Sequence, residues 1–263
     1  MGPTQGGVVN PFPTIIAAAP GNVWEWLHDP TARAATGPIP HNLWLTLQHA
    51  GWAVVISTLL AVPLAAWLAH TGRGETIAAT VVNLGRVIPT LTILAVAVVV
   101  SLERGYGFAP WPIVIALTAM CLPPIFANTY TAIRNVPAET VTAAKAMGLS
   151  GSQVMTRVEL PLALPLLVAG IRVALTQAIA TEALGALFGG GGLGVYIAVG
   201  LATNDHPAIQ AGALLVAGAA MTADVVLAAL ARALTPHGVR SSPVRRSRST
   251  RPARARPDLG GSR

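Results

Sequence analysis

The sequence predicts an all-α membrane protein with five core transmembrane helices. Of its 263 residues, 53% are hydrophobic and only 10% are charged, whereas an ordinary soluble domain is roughly 25% charged. A helix needs about 20 mostly apolar residues to cross a hydrocarbon core. Five stretches satisfy this requirement, at residues 51–69, 77–102, 111–133, 158–184 and 209–234. Prolines occur within them, for example Pro63, Pro123 and Pro124, and a helix bundle in a membrane tolerates such prolines.

The distribution of basic residues predicts the orientation of these spans. Arg73 follows the first span, Arg134 and Lys145 lie between the third and fourth, and an arginine-rich tail follows the fifth. All of them fall on one side, while the opposite loop at 185–207 contains no Lys or Arg. The positive-inside rule therefore predicts a multi-pass inner-membrane protein with its N-terminus outside and its C-terminus in the cytoplasm.

Composition divides the chain into three parts. Residues 1–40 are predicted to be a loosely ordered extension, 41–239 the transmembrane domain, and 240–263 a disordered cytoplasmic tail. The tail contains eight arginines and one aspartate, too polar a composition to bury a core. Beside a membrane span, such a charge indicates attraction to anionic lipid. Nucleic acid is not predicted as a partner, because no base-reading motif accompanies the arginines.

The sequence predicts no catalytic residue, no metal site and no cofactor. Cys121 is the single cysteine, which excludes an intrachain disulfide, and the six histidines lack metal-ligand spacing. The glycine run at 189–192 lacks the Gly-Lys-Ser/Thr ending of a phosphate-binding loop. It is interpreted instead as a flexible external turn before a short helix that begins near Leu193. An intramembrane enzyme is a weaker alternative, since no nucleophile elbow is present.

The loop between the third and fourth spans has the signals of a short helix. Pro137 suits a helix start, residues 143–147 are good helix formers, and Gly148 suits the left-handed residue after a helix end. Ser150 and Gln153 then match a capping box that opens the next helix. The alanines would let another surface approach closely, which favours a docking element. An ordinary loop helix is the alternative.

The spacing of Ala143, Ala144, Gly148, Val158, Leu160 and Pro161 resembles that of the EAA loop of bacterial ABC-importer permeases. The resemblance implies that this segment is the coupling helix, which sits in a cleft of a cytoplasmic ATPase. Thr142 stands where that family has glutamate, and Glu139, about one turn earlier, could replace it in an ion pair. The residues assigned to ATPase coupling are Glu139, Thr142, Ala143, Ala144, Met147, Gly148, Leu160 and Pro161.

Four further motifs, at 86–94, 122–136, 158–175 and 189–213, resemble the quaternary-amine branch of these permeases, which carries glycine betaine, choline, carnitine and related osmoprotectants. The resemblance implies a type I importer (MetI-like) fold, alternating access, and ATP hydrolysis on a separate chain. It also implies three partners: a cytoplasmic ATPase dimer, a second permease subunit, identical or homologous, and an extracytoplasmic substrate-binding protein.

Four ionisable residues within the spans are candidates for special roles, since charge is costly in hydrocarbon. They are Arg86, Arg172, Glu182 and Asp224. Glu182, beside the external glycine loop, is the candidate for lining the path, and interhelical ion pairs or snorkelling to the headgroups are the alternatives for the set. Two other functions stay open from the residues alone: an ion-coupled secondary transporter and a membrane scaffold without transport.

Overall fold

The computed structural model describes residues 20–29, 33, 36–72, 76–77, 80–81, 89–108 and 110–234. Its helices are α1 (Pro20–His28), α2 (Ile39–Thr71), α3 (Thr90–Glu103), α4 (Trp111–Arg134), α5 (Ala138–Ala146), α6 (Gly151–Val154), α7 (Leu160–Glu182), α8 (Gly194–Thr203) and α9 (His206–Leu234). A π-helical segment, Met155–Glu159, joins α6 to α7, and a 3-10 segment, Ala183–Phe188, follows α7.

Within the described residues, four helical stretches are long and apolar enough to cross a membrane. They are Ile39–Thr71, Trp111–Arg134, Gly151–Phe188 and His206–Arg232. These match four of the five predicted spans, and the mostly helical membrane fold is confirmed. The predicted span at 77–102 overlaps the shorter helix α3. Residues 82–88, including Arg86, lie outside the described part, so a count of five spans stays a prediction.

The centre of the bundle is built from small side chains on α2, α4 and α7. Ala61 and Ala65 of α2 pack in one cluster with Ala174 and Ala178 of α7 and with Cys121 of α4. Small residues let helix backbones approach closely, which is how helices associate in a membrane without a hydrophobic driving force. The three helices therefore form the tightly packed part of the fold.

The bundle has two ends, here called the loop end and the far end. At the loop end, α2 finishes at Thr71, α4 finishes at Arg134 and α7 begins at Leu160. At the far end, α7 finishes at Glu182, beside His49 of α2. The alanines Ala66, Ala69, Ala132 and Ala163 pack together at the loop end. Helices α2 and α7 consequently run antiparallel.

Part of the predicted loose extension is an ordered helix. Within residues 1–40, α1 packs Val23 and Trp26 against Tyr196 and the start of α9, and the Trp26 and Tyr196 rings meet edge to face at 5.3 Å. Arg33 donates hydrogen bonds to the carbonyls of Trp26 and Leu27. The burial of one large aromatic ring explains why this segment differs from the prediction. Residues 1–19 and the tail at 240–263 lie outside the described part.

Candidate functional site

Helix α5 lies within the connection between α4 and α7. Pro137 occupies its N-cap position with φ −56° and ψ 127°, and Glu139 lies in its first turn, where a negative charge complements the helix dipole. Lys145 lies in its last turn, where a positive charge is favourable. The predicted short helix between Pro137 and Gly148 is therefore present.

The end of α5 explains the glycine at position 148. Gly148 has a φ of +87°. Its N–H donates to the Lys145 carbonyl at 2.9 Å, and the N–H of Leu149 donates to the Ala144 carbonyl at 3.3 Å. This pair of bonds is a Schellman motif, which needs a left-handed residue at that position and so favours glycine. Gly148 thus fixes the direction in which the chain leaves α5.

The capping box predicted after α5 is also present. The Ser150 N–H donates to Gln153 Oε1 at 2.8 Å, and the Gln153 N–H donates to Ser150 Oγ at 3.4 Å. One turn of α-helix follows, and then the π-helical segment Met155–Glu159. Leu160 and Pro161 open α7, so they sit at the membrane end of this connection rather than on α5 itself.

The structure separates the predicted coupling residues into two faces of α5. Ala144 is buried, only 2% exposed, and faces the rest of the loop. Ala143 and Met147 are exposed, Met147 to 74%, and lie four residues apart on one helix face together with Glu139. The sequence did not distinguish Ala143 from Ala144, because both small residues suit either face.

Thr142, which the resemblance aligns with a glutamate, makes only a local contact among those described. Its hydroxyl donates to the Ala138 carbonyl at 2.9 Å, one turn back along α5. Thr142 and Glu139 are both exposed. The carboxylate of Glu139 is thus accessible on the surface of α5.

Glu182 lies at the far end of the bundle and is completely buried. Its Oε1 atom lies 2.9 Å from His49 Nδ1, and its Oε2 atom accepts a hydrogen bond of 2.8 Å from Thr46 Oγ1. Thr46 Oγ1 in turn accepts a hydrogen bond from the Leu193 N–H at 2.9 Å. Helix α2, the end of α7 and the start of α8 are therefore joined through the Glu182 carboxylate and the Thr46 hydroxyl.

The glycine loop is shaped around that carboxylate. Gly192 has a φ of +76°, and a β-carbon at this position would clash with both carboxylate oxygens of Glu182. Helix α8 begins at Gly194 with Leu193 as its N-cap, where the sequence predicted a short helix. Gly192 is therefore needed both for its backbone conformation and for its close approach to Glu182.

Two other contacts involve ionisable side chains, one on α7 and one on the π-helical segment before it. Arg172 and Asp224 form a bidentate ion pair between α7 and α9, with Nη2 to Oδ2 at 2.8 Å and Nε to Oδ1 at 3.2 Å. This confirms an interhelical ion pair for those two candidates. At the loop end, His70 Nδ1 lies 2.6 Å from Glu159 Oε2. The sequence analysis missed this second pair, because nothing local marks two residues 89 positions apart as neighbours.

Comparison with known proteins identifies the family. The profile of the family described as "Binding-protein-dependent transport system inner membrane component" matches residues 57–238, most of the chain. The chain belongs to this family. It is accordingly an inner-membrane permease component of a transport system that depends on a binding protein, and the prediction of a transport subunit rather than an enzyme is confirmed.

Named relatives agree with this assignment. The chain is 37% identical to the carnitine transport permease protein OpuCD of Listeria monocytogenes serotype 1/2a, over 75% of this chain and 87% of that protein. It is 36% identical to the choline transport system permease protein OpuBB of Bacillus subtilis, over 71% of this chain and 84% of that protein.

A solved structure supports the fold. Inward facing conformations of the MetNI methionine ABC transporter superpose with a TM-score of 0.65 at 21% identity, covering 75% of this chain and 96% of that chain. The predicted MetI-like permease fold is confirmed by this likeness. Among the described residues, no group of three or more His, Cys, Asp or Glu side chains is placed to hold a metal ion.

Proposed function

We propose that this chain is the permease subunit of an ATP-driven importer of quaternary-amine osmoprotectants such as glycine betaine, choline or carnitine. The family match and the names of relatives that cover more than two thirds of the chain support the proposal. ATP hydrolysis belongs to a partner ATPase dimer, and an extracytoplasmic binding protein delivers the substrate. A second permease subunit, identical or homologous, completes the path.

Uptake into proteoliposomes tests this function. The complex of permease, ATPase and binding protein is expected to accumulate radiolabelled glycine betaine, choline or carnitine only when ATP is present on the ATPase side. Accumulation driven by an ion gradient without ATP would contradict the proposal and favour a secondary transporter. An assembled complex that transports none of these solutes would contradict the substrate class.

Helix α5 is the contact through which the ATPase drives the spans in this proposal. The supporting observation is the exposed face formed by Glu139, Ala143 and Met147, on a helix that begins after Pro137 and ends in the Schellman motif. The positive-inside count puts this loop, and the C-terminal tail, in the cytoplasm.

Cysteine crosslinking tests the contact. In a variant with Cys121 replaced by Ala, Met147→Cys or Ala143→Cys is expected to crosslink to a cysteine in the ATPase cleft, with a yield that changes with bound nucleotide. Ala144→Cys is the matched control, because that side chain faces inward and should not react. No crosslink from position 143 or 147 in an assembled, active complex would contradict the proposal.

Glu182, at the far end of the bundle, is proposed to line the transport path during part of the cycle. In the present conformation His49, Thr46 and Gly192 enclose its carboxylate. For Glu182 to line the path, the glycine loop before α8 would have to move away from it. Four glycines in that loop, at positions 189–192, permit such a movement because glycine adopts conformations closed to other residues.

A further inference from the structure

Helices α2 and α7 are joined at both ends by the same type of contact. His49 of α2 meets Glu182 at the far end, at 2.9 Å, and His70 of α2 meets Glu159 at the loop end, at 2.6 Å. The two histidines are 21 residues apart, which corresponds to about 30 Å along a helix. The contacts thus lie near opposite ends of the packed region.

The loop-end contact attaches α2 directly to the segment that follows α5. Glu159 is the last residue of the π-helical segment that leads into α7. The other nitrogen of His70, Nε2, lies against the first residue of α6, where a β-carbon on Gly151 would be 3.4 Å away. His70 therefore lies beside the beginning of the 151–159 connection and contacts its end at Glu159.

The backbone of that connection is a weak mechanical link to α7. The segment Met155–Glu159 is π-helical, and Pro161 and Pro165 follow within the first turns of α7. Each proline removes a backbone hydrogen bond, and both prolines and π-bulges are sites where helices bend. Movement of α5 would partly be absorbed there. The His70–Glu159 contact lies before both prolines, so it reaches α2 by a route that avoids them.

The two contacts differ in how firmly they are held. At the far end the glutamate side chain is 0% exposed and the histidine side chain 6%, and Thr46 adds a second hydrogen bond to the carboxylate. At the loop end the corresponding side chains are 8% and 21% exposed. The far-end contact is therefore more firmly held, and the loop-end contact has more freedom to move.

We infer that the His70–Glu159 contact is the joint that passes the movement of α5 to α2, and that the His49–Glu182 contact is the pivot about which α2 and α7 then turn. This rests on the proposed role of α5 as the contact with the ATPase. Both members of the joint are positioning residues. They touch neither the ATPase nor the substrate in this scheme.

The test measures substrate taken up per ATP hydrolysed in the reconstituted complex. His70→Ala is expected to lower this ratio by about 5-fold or more, the lower end of typical coupling between distant sites. His70→Asn, whose amide can stand in for Nδ1, should retain it. Thr71→Ala is the matched control, since the Thr71 hydroxyl donates to the Leu68 carbonyl within α2.

A double-mutant cycle completes the test. If both residues act through their contact, Glu159→Ala should lower the ratio as His70→Ala does, and the double variant should be no worse than either single one. A wild-type ratio in His70→Ala would overturn the inference, even with a reduced protein level, because the ratio counts only assembled complexes. Equal loss in Thr71→Ala would overturn it too. Crosslinking of position 147 to the ATPase tests the proposed function separately.

Discussion

The two ends of the α2–α7 pair use the same two residue types but restrain them differently. At the far end, His49 and Glu182 are enclosed together with Thr46 and Gly192, and the carboxylate has hydrogen-bond partners on both oxygens. At the loop end, His70 and Glu159 are less buried and adjoin a π-helical turn. Enclosure, rather than the chemistry of the pair, therefore distinguishes the two contacts, and the far-end contact is the more firmly held.

The largest expected effect is at the far end, from Gly192→Val. The substitution places a side chain at a φ of +76° and drives a β-carbon into the Glu182 carboxylate and Thr46 Oγ1. Positive φ costs about 1–2 kcal/mol for a residue with a β-carbon, and overpacking about 1–3 kcal/mol more. Thermal unfolding of the detergent-solubilised protein should show a clear loss of stability.

Gly218→Ala is the control for that substitution. Gly218 lies within α9, and a β-carbon there would meet nothing within 4 Å. Alanine is favoured over glycine in a helix interior by up to about 1 kcal/mol, so this variant should be as stable as wild type or slightly more stable. Similar losses in both variants would contradict the enclosure of Glu182 described above.

Glu182→Gln tests the far-end contact with a smaller expected loss of stability than Gly192→Val. The amide keeps the shape of the side chain and can still accept a hydrogen bond from Thr46, but an NH2 group replaces the carboxyl oxygen that faces His49. Replacing one partner of a buried hydrogen bond costs roughly 1–3 kcal/mol. Uptake should fall, while complex assembly and the nucleotide affinity of the ATPase stay unchanged.

Two results would decide against a role of Glu182 in transport. Unaltered uptake across a wide pH range would remove the carboxylate from the mechanism. A collapse of the protein level in membranes, with normal uptake per surviving complex, would show that Glu182 serves only to hold the helices together.

A smaller change in stability, with a large change in coupling, is expected for Gly148→Val. The site is open, with nothing within 4 Å of an added β-carbon, so only the backbone strain of about 1–2 kcal/mol remains. Relieving that strain would turn the chain leaving α5, and uptake per ATP should drop. Gly148→Asn is the control, because asparagine tolerates the left-handed region. Equal coupling in wild type and Gly148→Val would contradict the role of α5.

The smallest effect is expected from deleting residues 240–263. The eight arginines of this tail lie outside the bundle domain predicted from the sequence. Removal should leave uptake mostly intact. Tail peptides should bind anionic vesicles in low salt and release at higher ionic strength, because the Debye length falls to about 10 Å at 0.1 M. Complete loss of assembly on deletion would show that the tail has a structural role.

Local features of the structure were predictable because local residues determine them. The Pro137 start, the Gly148 end and the Ser150–Gln153 capping box each depend on residues within one or two turns, and each is present in the structure. Helix α1 was missed because its stability comes from Trp26 packing on Tyr196, 170 residues later in the chain. The sequence of α1 alone does not predict a stable helix.

The membrane class, four of the long helices and the bounds of α5 could be predicted from the sequence, since hydrophobicity, proline and glycine act through the chain's own backbone and its solvent. The sequence also identified Glu182 as a charged residue within a span that needs a partner, but it identified neither that partner nor the second pair. Glu182 meets His49 across 133 positions, and Glu159 meets His70 across 89. Such pairings depend on how the antiparallel helices align. Small side chains at the α2–α7 interface set that alignment through close packing, which cannot be predicted from the local sequence of either helix.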